Sequence, residues 1–414
     1  MLQRLLAWIT GRRQLERLAA IEEKVGKFGR AVREDLDGQR RQLHSLKAQL
    51  STVASADSLR ALRRRVEDAH VSLAQQDRGF SDALERARLL DEQGVDDRRF
   101  ARRVEQFLRH DRPIVVGPWT GEVGFELLYW IPFVRWSLRH YGIPRDRVFV
   151  VSRGGAEVWY GRIATRYADV FSFCSPDEFR AATEARKKQR LVGAFDREMV
   201  RRVMTAHDLG RAELLHPGMM YRLFMPFWKD LATMARVDAY TAHTRLDPVD
   251  DPVLRELPAE YVAARFYFSD CFPDTPPNRA FAAGAVDAIS RQVPVVLLNT
   301  PFRVDDHRDV MVDGGRVITI AAQNMTPERN LAVQTAVIAR ARGFVGTYGG
   351  YSYLAPLCGV SSLAFYSART FKAHHLHVAQ RVFERLGGAT VVPLDVNDVP
   401  LVRLAVAGAF AAVP

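Results

Sequence analysis

Leu18, Ile21, Val25, Phe28 and Val32 follow one another at intervals of three, four, three and four. That is a heptad stripe, the pattern of a helix burying one seam against a partner. Leu43, Leu46, Leu50 and Val53 resume it with an offset of four, a stutter in the repeat. Thr52 to Asp57 interrupts the pattern, and Asp57 or Ser58 suits the cap of a second helix through Leu59, Leu62, Val66, Leu73 and Leu84. Gly26, Gly29 and Gly38 weaken the first helix. No proline occurs before Pro113. Residues 1–110 therefore read as a helical coiled-coil region, with a hairpin folded on itself as the alternative.

At Pro113 the period changes. Ile114-Val115-Val116-Gly117 is a short buried strand, a glycine-containing turn runs from Pro118 to Gly124, and an amphipathic stretch rich in aromatics spans Phe125 to Tyr141. Val148 to Val151 is a second strand, ending at Ser152-Arg153-Gly154-Gly155. Strand, helix and strand at this spacing make a βαβ unit and hence a parallel sheet. Ala181 to Tyr240 reads as mostly helical. Leu246 to Pro258 carries three prolines and several acids, which suits a linker without regular structure.

Beyond the linker the α/β pattern starts again. Tyr261–Phe268, Val293–Leu298, Val317–Ala321 and Ser362–Tyr366 read as strands, and Phe281–Arg291 as a helix. Thr326-Pro327-Glu328 looks like a helix start, Thr as N-cap and Pro in the first turn, for a helix reaching Ala341. The predicted fold is α/β: two Rossmann-like domains facing across a cleft, preceded by the coiled coil. The boundaries drawn are 1–110, 111–245, a linker at 246–258, and 259–414.

Charge and composition narrow the setting. The net charge is +11, mostly carried by Arg and interspersed with acids, which favours anionic substrates or anionic membrane surfaces over nucleic acid. Cys174, Cys271 and Cys358 are odd in number and lack metal-ligand spacing, which suits a reducing cytoplasm. No run of about 20 apolar residues is available to span a bilayer. Leu2, Leu5, Leu6, Trp8 and Ile9 would let the first ten residues lie on the inner face of a membrane; packing on a partner is the plainer reading.

The chemistry concentrates in Phe344-Val345-Gly346-Thr347-Tyr348-Gly349-Gly350-Tyr351-Ser352, followed by a small-residue helix start. Glycines let a backbone approach a ligand closely, and a helix N-terminus offers N–H groups and the positive end of its dipole. The run fits neither Walker A nor Gly-x-Gly-x-x-Gly. With Ala339-Arg340-Ala341-Arg342-Gly343 before it and Gly359-Val360-Ser361-Ser362 after, it resembles the donor-binding segment of GT-B glycosyltransferases, in a rhythm similar to bacterial heptosyltransferase-like and fucosyltransferase-like enzymes. Gly117-Pro118-Trp119-Thr120-Gly121-Glu122-Val123-Gly124-Phe125-Glu126 resembles the first strand-to-helix loop of their acceptor domain. The likeness spans residues 113 to about 400 and matches no one subfamily.

That resemblance implies a cytoplasmic transferase moving a hexosyl, deoxyhexosyl or heptosyl group from a nucleotide sugar to a glycan or lipid-linked acceptor in surface-glycan synthesis. It implies metal-independent catalysis, with the nucleotide sugar as co-substrate and no cofactor. The sequence agrees in lacking a clear Asp-x-Asp; Asp250-Asp251 and Asp305-Asp306 fit solvated loops better than a metal site. The N–H groups around Tyr348, Gly349, Gly350, Tyr351 and Ser352 are the expected diphosphate cradle. Arg265, a charge inside an apolar strand, is the expected cation, with a structural ion pair as the alternative. Arg303 is a second cation, and Glu328 a candidate for the ribose hydroxyls. Glu122, between two glycines, is the first candidate for the base and Glu126 the second. Gly121 and Arg153 are candidates for holding the acceptor. His374-His375-x-His377 does not suit a metal, because adjacent helical residues diverge by about 100°; one of them is a candidate contact for the donor. The coiled coil is expected to form a homo-oligomer. Two rival readings stay open: a polysaccharide pyruvyl transferase on the same architecture, and a non-catalytic scaffold whose coil carries the function.

Overall fold

The computed structural model describes residues 97–408, apart from 185–187, 305–306, 313 and 372, together with isolated positions between 34 and 71. The chain divides into two compact units, Met1–Arg98 and Arg99–Pro414. The heptad stripe, the second helix and the apolar first ten residues lie outside the described residues, as do Asp305 and Asp306. Among the described residues no helix is long and apolar enough to cross a membrane.

The second unit carries two parallel sheets. The first contains β1 (Ile114–Val116), β2 (Val148–Ser152), β3 (Arg166–Asp169) and β4 (Glu213–Leu215), in the order β3-β2-β1-β4. Its strands β1 and β2 are wholly buried, and apolar apart from the closing Ser152 of β2, as suits strands covered on both faces. The second contains β5 (Val262–Arg265), β7 (Val295–Leu297), β9 (Val317–Thr319), β10 (Gly343–Thr347), β11 (Ser362–Tyr366) and β12 (Val391–Asp395), in the order β12-β11-β10-β5-β7-β9. A separate small antiparallel pair is formed by β6 (Tyr267–Phe268) and β8 (Arg308–Asp309).

Both large sheets have a doubly wound order that reverses direction once. The reversal falls between β1 and β4 in the first sheet and between β5 and β10 in the second. Such a switch point leaves a crevice outside the strands' C-terminal ends, where ligands of this architecture bind.

Seven helices matter for the site. α1 runs without a break from an α turn (Val123–Phe125) through a π-helical stretch (Glu126–Trp130) into Ile131–His140. α2 is Ala194–Ala206, α3 Gly218–Trp228, α4 Pro276–Ser290, α5 Asn330–Arg340, α6 Gly350–Leu357 and α7 Ala373–Leu386. The largest apolar cluster includes Phe107, Trp130 and Phe224 beside the first sheet and Phe344, Leu354 and Val391 in or beside the second. The two sheets thus share one core.

Several local expectations are corrected. The stretch read as mostly helical holds β4, which its three residues and opening Glu213 concealed. The linker contains a 3₁₀ turn, Pro252–Glu256. Asp251 in it is buried, accepts the Val253 N–H at 3.0 Å and pairs with Arg329 at 3.0 Å, so it is no solvated loop acid. α5 starts later than Thr326: the Thr326 carbonyl accepts the Arg329 and Asn330 N–H groups, and no side chain caps the helix. Its N-terminal N–H groups are met from elsewhere in the fold, as described below.

Candidate functional site

In the first half, β1 ends in the turn that carries Glu122. Gly117, at φ +123°, bonds through its N–H to the Leu215 carbonyl of β4, and the Trp119 N–H reaches the Val151 carbonyl of β2. A Cβ on Gly117 would stand 2.3 Å from that Val151 oxygen, so only glycine fits. Glu122 is the exposed N-cap of α1, extended at φ −68° and ψ 145°. Its carbonyl accepts the Glu126 N–H at 3.1 Å, while its side chain makes no capping bond. The carboxylate is therefore presented outward at a helix start.

Glu126, one turn on, has a different setting. It is fully buried, and its Oε1 accepts from Ser152 Oγ at 2.6 Å and from Tyr160 OH at 2.7 Å. It sits at the first residue of the π-helical stretch, a local widening common at functional sites. Burial pushes its pKa from 4.5 up to about 7, against the opposing pull of Arg153 and of its two hydroxyl donors. An acid whose pKa is raised on folding loses stability as pH rises from the unfolded to the folded value, here between about 4.5 and 7. Glu126→Gln keeps the shape and two acceptor lone pairs without the charge. It is expected to match the wild type near pH 4.5 and to exceed it by about 3 kcal/mol above pH 8, measured by urea unfolding at each pH.

Arg153, just after β2, is also buried and donates through Nη2 to the Gly121 carbonyl. The two acceptor-side candidates, Gly121 and Arg153, are thus in contact, with Arg153 supporting the loop from below. Asp169 at the end of β3 accepts from the Gly155 N–H at 2.8 Å, the Phe171 N–H at 3.0 Å and Tyr167 OH at 3.0 Å. It holds the Gly154–Gly155 turn, whose Gly154 carbonyl accepts the Leu331 N–H at 2.7 Å and the Ala332 N–H at 3.2 Å. The first sheet thereby supplies the N-terminal cap that α5 lacks. Trp159 Nε1 adds a bond to Thr335 Oγ1 of the same helix at 2.9 Å.

In the second half, Arg265 ends β5 directly opposite Gly346 of β10. Its Nε and Nη2 reach the two oxygens of Asp309 at 3.0 and 3.3 Å, its Nη1 reaches Gln334 Oε1 at 2.7 Å, and its guanidinium lies 4.3 Å from the Tyr351 ring. Arg265 and the glycine motif are brought together, and Arg265 is in an ion pair within the protein. Tyr348 is buried, its hydroxyl 2.5 Å from that of Tyr353. Burial pushes its pKa up to about 12. Gly349 lies against Tyr267, whose hydroxyl would be 2.0 Å from an added Cβ. Ser352, at the first turn of α6, donates to the Gly349 carbonyl at 2.6 Å and accepts the Gly349 N–H at 3.2 Å, while its own N–H also returns to that carbonyl. Three of the five N–H groups expected in a phosphate cradle are thus engaged within the fold: Gly349 and Ser352 in this turn, and Tyr348 with the Phe365 carbonyl at 2.9 Å.

The two loops meet. A Cβ on Gly350 would stand 2.7 Å from the Gly124 nitrogen and 2.9 Å from the Val123 Cβ. The start of α6 therefore abuts the start of α1, backbone against backbone. Arg303 is exposed on the connection from β7 to β8, and Glu328 is exposed in the turn before α5. Among the histidines, His375 Nδ1 lies 2.8 Å from Tyr129 OH, and His374 Nε2 lies 2.7 Å from Asp230. Both bonds join α7 to the first half. Trp119 stacks between Trp130 and Tyr221 and is fully buried, a core side chain. Among the described residues, no three His, Cys, Asp or Glu are grouped to hold a metal ion.

Spacing had not singled out Ser152, Tyr160, Asp169, Asp309 or Gln334, nor Gln189, Asp196 and His216 beneath the first loop. The available signals were an Asp closing a short strand and a His following one.

No protein-family model and no curated protein matches the chain. Solved structures do. E. coli heptosyltransferase WaaC with ADP is 14% identical, with 71% of this chain and 99% of that one covered at a TM-score of 0.38. E. coli ADP-heptose lps heptosyltransferase II is 11% identical, with 72% and 98% covered at 0.40. A glycosyl transferase family 9 structure from Veillonella parvula DSM 2008 is 11% identical, with 73% and 90% covered at 0.38. These similar structures are glycosyltransferases of the group that the sequence resemblance named. Overlaps this loose carry no residue role across.

Proposed function

We propose that residues 111–414 form a metal-independent glycosyltransferase that uses a nucleotide sugar and a glycan or lipid-linked acceptor. One observation carries the reading. The switch-point loop of one parallel sheet, bearing an outward carboxylate, abuts the switch-point loop of the other, a glycine turn opening a helix. A Leloir transfer needs both parts side by side: a base for the acceptor hydroxyl and a positive, dehydrated seat for the leaving diphosphate.

In this reading Glu122 takes the proton of the acceptor hydroxyl as its oxygen bonds to the anomeric carbon of the sugar. The bond from that carbon to the diphosphate breaks, and the nucleoside diphosphate leaves with the electron pair. The dipole of α6 and the N–H groups of Gly350 and Tyr351 at its start stabilise the charge. Arg265, paired with Asp309, holds Tyr351 in that turn. Glu126 stays buried beneath, supporting Ser152 and Tyr160. Admission of the diphosphate requires Gly350 to part from Gly124. The heptad stripe supports a homo-oligomer, and the cytoplasmic face of a membrane suits a lipid-linked acceptor.

A thermal-unfolding panel with ADP, GDP, UDP, dTDP and CMP tests the reading. One nucleotide at about a hundred times its Kd is expected to stabilise by roughly 2.7 kcal/mol. Glu122→Gln should retain that protection and lower sugar transfer at least about 100-fold. If no nucleotide raises the unfolding midpoint, the scaffold reading replaces this one.

A further inference from the structure

Beneath the turn that carries Glu122 lies a buried polar chain outside the chemistry just described. Gln189 is 2% exposed, Asp196 2% and His216 4%. The Gln189 carboxamide grips the turn from both sides: its Oε1 accepts the Thr120 N–H at 2.9 Å, and its Nε2 donates to the Pro118 carbonyl at 2.9 Å. The same Nε2 donates to Asp196 Oδ1 at 3.2 Å. A flipped amide would set nitrogen against N–H and oxygen against two acceptors, so the three contacts fix its orientation.

Asp196 is held in turn. Its Oδ2 accepts the Gly193 N–H at 2.6 Å and lies 3.3 Å from His216 Nε2. His216 Nδ1 accepts the Gly218 N–H at 3.0 Å, which leaves the ring proton on Nε2, facing the carboxylate. Burial alone would raise the Asp196 pKa, but the nearby His216 and the Gly193 N–H bring it below the ordinary value. Asp196 is thus a charged acceptor that anchors the Gln189 amide. His216 follows β4 directly, so the chain of contacts runs from one side of the first switch point to the turn on the other.

We infer that Gln189 is a positioning residue for Glu122: oriented by Asp196 and His216, its carboxamide fixes the Pro118–Thr120 backbone and so sets where the exposed carboxylate stands. The role assigned to Glu122 rests on the glycosyltransferase reading; the clamp itself rests on geometry. It acts in the half that holds the acceptor, so its loss should act on turnover and not on donor affinity.

Gln189→Met preserves length and burial while removing all three bonds, and Gln189→Ala provides a second variant. Amide hydrogen exchange at Thr120 is expected to accelerate roughly tenfold or more in both, the loss of one sheltered hydrogen bond. With the nucleotide sugar chosen by the unfolding panel, kcat is expected to fall at least about tenfold while the donor KM stays within about twofold. Wild-type exchange at Thr120 in both variants overturns the clamp. Faster exchange with unchanged kcat overturns the positioning role. If the wild-type chain turns over no nucleotide sugar, the glycosyltransferase reading fails, and the positioning role with it; the exchange measurement then decides on the clamp alone.

Discussion

Arg265→Ala is expected to destabilise the protein by about 3–5 kcal/mol, the loss typical when one member of a buried ion pair is removed and the other stays. The partner is Asp309, of which only 9% of the side chain is exposed; it would keep the Thr300 N–H at 2.9 Å but lose both guanidinium bonds. Gln334, fully buried on α5, would lose its bond to Arg265 as well. Urea unfolding measures the loss. An Asp309→Asn background should recover a large part of it, because an amide in that position no longer leaves a buried charge without its counter-ion. If Arg265→Ala costs under about 1 kcal/mol, the pair is not the anchor of this switch point.

Gly346→Ala is expected to cost about 3 kcal/mol or more, at the upper end of overpacking effects. An added Cβ would stand 2.0 Å from the Arg265 carbonyl oxygen on the neighbouring strand, and backbone cannot turn aside as a side-chain tip can. β10 would have to move off β5, carrying with it the turn that leads into α6. For a unit of this size, Arg99–Pro414, the thermal midpoint should fall by about 4–5 °C. Circular dichroism melting checks the value; a midpoint within 2 °C of wild type would mean that β5 and β10 separate more freely than their register allows.

Much of the architecture was legible because two kinds of signal agreed. β1, β2 and β10 announce themselves through short apolar runs leading into glycines, and parallel strands buried on both faces need that composition. The two loops at the switch points were found the same way, as glycines at strand ends. β4 was not legible: three residues opening on Glu213 give no periodicity to read. Nor was the partner of Arg265, since Asp309 lies 44 residues away on a two-residue strand. The contrast between Glu122 and Glu126 is also a property of the fold. Glu122 follows Gly121 and Glu126 stands two residues after Gly124, and in the π-helical stretch the second reaches Ser152 and Tyr160. Contacts that join distant segments, such as Gly350 with Gly124, follow from packing and leave no local trace.

The carbonyl of Gly154 that caps α5 has a consequence for how such a chain can diversify. A helix of the second half begins on a backbone oxygen of the first, with Leu331 filling the space that a side chain at Gly154 would need. The halves are therefore not interchangeable modules. A second half of different sequence grafted onto this first half would have to retain Leu331 and Thr335 on α5, to meet Gly154 and Trp159. It would also have to keep a glycine at the start of α6. Under the proposed function, donor preference would be freer to drift at residues away from that seam, on the outer connections such as the one carrying Arg303.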